Sequence, residues 1–187
     1  MPFTVPSPRT PLEGGDAQWY RSELGWDATD GSPVRLATGT RFDVLELPAD
    51  AGAAVLRRGA RTGPVALSGA TVHLLVAAGS AEELPGLLDW LEWGGVDLDL
   101  TALGAGGVIP APPPPGCRTP QGAAVWLRPP AAGRLRLPAL AGLGGSGSAP
   151  DLVRLVDTAA TECHRARLIR TARTNTRKTR AQPLAFS

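Results

Sequence analysis

Asp97 and Asp99, in the run VDLDL (96–100), have the spacing best suited to chemistry. On an extended strand, side chains at i and i+2 share a face. A strand through this run would therefore present two carboxylates to one point. Carboxylates with a complement of waters are what Mg²⁺ accepts, and two-metal sites in general hold divalent cations about 3.5–4 Å apart. An earlier run, RFDVLEL (41–47), carries Asp43 and Glu46. These acids are three apart, so a regular strand turns them to opposite faces, and the position two beyond Glu46 is Pro48, which offers no ligand. Only a bulge would bring both acids together. The plainer reading is that one of them ends a strand and faces solvent. For Asp97 and Asp99 the plainer reading is the outer face of a half-buried edge strand, with Val96, Leu98 and Leu100 inward. His73 interrupts an apolar strand (TVHLLVAAG, 71–79). It is either a hydrogen-bonded core or surface residue or a ligand.

Other candidates are weaker. The segment GAGG (104–107) is neither a P-loop nor GxGxxG, so a turn accounts for it better than a phosphate cradle. Arg128, Arg134 and Arg136 fit either a phosphate groove or a solvated surface. His164 sits beside Cys163, but two Cys and two His at these spacings match no zinc pattern. Cys117 and Cys163 form neither a CxxC pair nor a disulfide framework, which fits a reducing compartment.

Charge is the most asymmetric property of the chain. Arg165, Arg167, Arg170, Arg173, Arg177, Lys178 and Arg180 are followed and interrupted by no acid, whereas the body up to His164 holds twelve basic residues against seventeen acidic ones. A basic tail on an acidic body favours phosphate backbones by counterion release, although such tails also bind acidic proteins or keep a chain in solution. The start of the chain has no continuous apolar h-region, which argues against a signal peptide. The most apolar stretch (63–80) is broken by Ser68, Gly69, Thr71 and His73, which excludes a membrane span there. A cytoplasmic location follows as the expectation.

The elements that must position these residues read as an α+β (mixed α/β) fold in two layers. Strands are expected at 41–47, 64–67, 71–77, 96–100, 108–109 and 123–127. A short helix over 49–58 closes at Gly59, and S-x-x-E at 80–83 is a capping-box signature before a helix bearing Leu84, Leu87, Leu88 and Leu91. The chain divides into a mobile lead-in (1–18), a main domain (19–140), a Gly/Ser linker (141–150), and a helix with the basic tail (151–187). Leu152, Leu155, Val156, Ala159, Cys163 and Ala166 form that helix's apolar stripe.

Three ordered segments, ATGTRFDVLELPADAG (37–52), TVHLLVAAG (71–79) and VDLDLTALGAGGVIPAPPPP (96–115), together resemble the bifunctional DNA primase/polymerase (Prim-Pol) domain of the archaeo-eukaryotic primase superfamily. The resemblance implies a Prim-Pol-like domain with an RRM-like sheet. It also implies metal-dependent nucleotidyl transfer on Mg²⁺ or Mn²⁺, held by Asp97, Asp99 and Glu46 with His73 on the incoming nucleotide. The expected partners are DNA or nucleotide, with a replication or regulatory protein as a further possibility. Pro48 departs from the pattern, because the first motif then has no second acid. Two functions follow. One is a DNA primase/polymerase-type nucleotidyltransferase. The other is a catalytically depleted Prim-Pol-fold module that binds nucleic acid or a protein partner as a regulator.

Overall fold

A computed structural model describes residues 15–131, 136–140 and 151–180, leaving aside the side chains of 175 and 177–180. The expected linker (141–150), Arg134 and most of the expected lead-in lie outside the described residues. The elements run α1 (Gly15–Glu23), β1 (Ala28–Thr29), β2 (Arg35–Ala37), β3 (Asp43–Pro48), α2 (Ala49–Arg57), β4 (Val65–Ser68), β5 (Thr71–Val76), α3 (Ser80–Trp90), β6 (Thr101–Leu103), β7 (Val108–Pro110), β8 (Val125–Arg128) and α4 (Leu152–Arg180). The fold is mixed α+β, with a five-stranded sheet ordered β6-β3-β5-β4-β8 and a three-stranded sheet ordered β1-β2-β7. Every pairing within these sheets is antiparallel. Among the described residues no helix is long and apolar enough to cross a membrane.

Alternation along β3 and β5 sorts the two faces of the large sheet. Leu45, Leu47, Val72, Leu74 and Val76 point to one face and meet Ala51 and Val55 of α2, Leu84 of α3, and Leu152, Leu155, Val156, Ala159, Cys163 and Ala166 of α4. The apolar stripe expected on the last helix is therefore buried in the main core, so α4 belongs to the same packing unit as the sheet. Val44 and Leu75 point the other way, into a second cluster with Ala17, Tyr20, Trp26, Leu36, Phe42 and Ile109. The architecture is accordingly not the expected two layers, because α1 and the small sheet cover part of the second face. The lead-in is also shorter than expected. Gly15 already begins α1 and Ala17 is fully buried.

Three local expectations need correction or refinement. Residues 96–100 are not a strand; β6 begins only at Thr101. Alternation correctly separated buried Leu100 from the flanking acids, but alternation reports inside against outside and not a ladder of hydrogen bonds. Ser80 does not cap α3, because the cap position is Gly79 and no side chain of the capping box closes it. The Ala81 N–H instead donates to Asp43 Oδ2 of β3 at 2.9 Å. A carboxylate suits the positive end of a helix. Finally, GAGG is the turn between β6 and β7, and it docks on the β2–β3 connection. The Thr38 N–H donates to the Gly107 carbonyl at 2.9 Å, and the Thr38 hydroxyl donates to the Gly104 carbonyl at 2.6 Å.

Candidate functional site

The β3–β5 register sets Glu46 directly opposite His73, and the β3–β6 register sets it opposite Thr101 on its other side. Ala66 of β4 and Trp126 of β8 continue the row. The line Thr101–Glu46–His73–Ala66–Trp126 thus crosses the sheet on the face away from α2, α3 and α4. His73 Nε2 lies 3.2 Å from Glu46 Oε1, and the Thr101 hydroxyl donates to Glu46 Oε2 at 3.4 Å. Both carboxylate oxygens are therefore engaged. The Glu46 side chain is 27% exposed, while His73 is buried and its Nδ1 has no partner among the described residues.

Burial holds the His73 pKa below the ordinary histidine value, with the Glu46 carboxylate pulling in the opposite direction. The ring is thus neutral in the folded chain where an unfolded histidine, with a pKa of about 6.5, takes up a proton. The unfolded state then binds more protons than the native state, so stability falls as pH drops below that value, down to the depressed native pKa. Urea midpoints measured from pH 7.5 to 5 should show this loss in the wild type and a smaller loss in His73→Gln. Parallel pH profiles would mean that His73 does not titrate as described.

Asp43 projects from the opposite face of β3, as the three-residue spacing requires. It is fully buried, contrary to the expectation of a solvent-facing strand end. Its work is the α3 contact, and its Oδ1 has no partner among the described residues. The sheet itself separates it from Glu46.

Asp97 and Asp99 do share one side, but that side faces α4. Arg167 takes the Asp97 carboxylate, and Arg170 bridges Asp99 and Asp50. The Arg167 hydrogen bond draws the Asp97 pKa down. Asp50, in the first turn of α2, escaped the sequence reading; its only signal was an acid following Pro48 in ELPAD. The structure therefore does not gather Glu46, Asp97 and Asp99 into one ligand set. Among the described residues no group of three or more His, Cys, Asp and Glu side chains could hold a metal ion. A two-cation centre does not fit these residues, because the face bearing Glu46 offers one carboxylate already bonded to a histidine and a threonine.

Arg128 donates to the Thr62 carbonyl and hydroxyl. The His164 ring lies 5.8 Å from that of Trp93. Cys163 is buried, its thiol pushed up to about 12 by desolvation, which makes it unreactive. In the basic helix, Arg165 pairs with Glu162, while Arg167 and Arg170 are held as described. Arg173 is exposed and makes no ion pair among the described residues. No protein-family model, curated protein or solved structure matches this chain.

Proposed function

We propose that this chain is a Prim-Pol-like module that binds DNA through its last helix and has lost metal-dependent nucleotidyl transfer. Support for the family comes from topology. The run β3-α2-β4-β5-α3-β6, with strand order β6-β3-β5-β4, is a β-α-β-β-α-β unit, and it suits the RRM-like sheet that the motif resemblance implies. Glu46 and His73, each from a different resembling segment, lie side by side on the face free of α2, α3 and α4.

The observation that carries the loss of catalysis is the composition of that row. The neighbours of Glu46 are His73 and Thr101, not carboxylates, and Asp97 and Asp99 are held by arginines. A cytoplasmic DNA-binding regulator fits this residue set better than a polymerase.

The test combines two assays on the full chain. Fluorescence anisotropy with a labelled single-stranded oligonucleotide at 50 mM salt should show binding. A primer-extension assay with dNTPs and Mn²⁺ should show no extension above background. Extension abolished by Glu46→Gln would reinstate the polymerase reading. Absence of DNA binding would remove the module reading.

A further inference from the structure

We infer that Asp50, Asp97 and Asp99 form an internal polyanion that occupies Arg167 and Arg170 and restrains DNA binding until a nucleic acid displaces it. The inference rests on the DNA-binding reading above and adds its regulation.

Two of the seven basic residues in the tail, Arg167 and Arg170, are bound by acids from outside their own helix. Asp50 comes from α2, and Asp97 and Asp99 come from the segment before β6. Three carboxylates thus converge on two guanidinium groups, much as successive phosphates of a strand would.

The contact is built to open. The Arg167 and Arg170 side chains are each 39% exposed, and Asp97 is 81% exposed. Exposed ion pairs are weak and are screened by salt, so a phosphate backbone can compete for the same donors. Opening also leaves the fold intact. α4 is anchored upstream by Leu152, Leu155, Val156, Ala159, Cys163 and Ala166, all in the main core, and none of these contacts involves Arg167 or Arg170.

The two acid-held arginines adjoin the rest of the basic run. Positions 167, 170, 173 and 177 follow one another at three- and four-residue spacing, which places them along one side of a helix. Displacing the acids therefore extends the phosphate-binding stretch from 173–180 back to Arg167.

The experiment compares oligonucleotide binding by the wild type, the triple variant Asp50→Asn/Asp97→Asn/Asp99→Asn, and a charge-matched control, Asp16→Asn/Glu23→Gln/Asp30→Asn, on and after α1. The triple variant is expected to bind about tenfold tighter at 50 mM salt. The control should change less than twofold. Equal tightening in triple variant and control would reduce the effect to net charge and overturn the inference. Wild-type binding with an unchanged triple variant would also overturn it, leaving the DNA-binding reading in place. If neither wild type nor triple variant binds, both fall together. Asp97→Asn alone, at the most exposed of the three acids, keeps the test decisive if the triple variant does not fold: a gain of twofold or more supports the inference, and no gain overturns it.

Discussion

Gly39→Ala is expected to destabilise the fold by about 3–5 kcal/mol, the sum of a strained backbone and a steric collision. Gly39 has φ +96°, outside the range L-residues readily adopt, and a Cβ there would lie 2.3 Å from Ala105 Cα and 2.6 Å from Ala105 N. Those atoms are backbone, so no side-chain rotation relieves the overlap. Movement would have to come from the β6–β7 turn, which is held by Thr38 bonds to Gly104 and Gly107. Gly69→Ala is the matched control. It has φ +56° and nothing within 4 Å of the added carbon, so it carries only the left-handed penalty of about 1–2 kcal/mol. Urea denaturation of the two variants separates strain from collision. Equal losses would mean that the seam between the β2–β3 and β6–β7 connections yields without cost.

Neutralising the end of α4 should have the largest effect on binding. With Arg173, Arg177, Lys178 and Arg180 all changed to alanine, DNA affinity is expected to fall roughly 10²-fold at 50 mM salt, because about four phosphate contacts and their released counterions are lost. The salt dependence should flatten at the same time. Residues 165–187 contain neither Asp nor Glu, so these four positions have no acidic neighbour in sequence. Arg173 is exposed, as are all residues of 171–174 and 176, so its substitution removes no core contact. Anisotropy titrations at several salt concentrations read both quantities. An affinity and slope equal to the wild type would place the DNA contact elsewhere on the chain.

Much of the frame is legible from local pattern. RFDVLEL alternates and becomes β3, an alanine-rich stretch before Gly59 becomes α2, and the two apolar runs flanking Gly69 become β4 and β5. The stripe from Leu152 to Ala166 buries as its spacing says. What escaped depends on partners distant in sequence. Tyr20, Trp26, Phe42 and Trp126 pack together in a second core from four separate segments, and no periodicity links them. Asp43 is buried because α3, 38 residues on, needs an acceptor. The same limit governs the site. His73 and Glu46 are recognisable singly, but their adjacency, and the place of Thr101 on the other side of Glu46, follow from strand register. The acidic pair at 97 and 99 has the right spacing and the wrong neighbour, since α4 brings arginines to it.

The seam at Gly39 bears on how such a sequence changes over generations. Two of the three resembling segments, 37–52 and 96–115, are the ones that interlock there, with Gly39 against Ala105 and Gly107 against the Thr38 hydroxyl. A side chain on an open sheet face can be exchanged while the chain still folds. Close-packed glycines allow no such drift, because every copy must fold whatever it does afterwards. A seam of this kind therefore tolerates less substitution than an open surface does, because its two loops have no room to part.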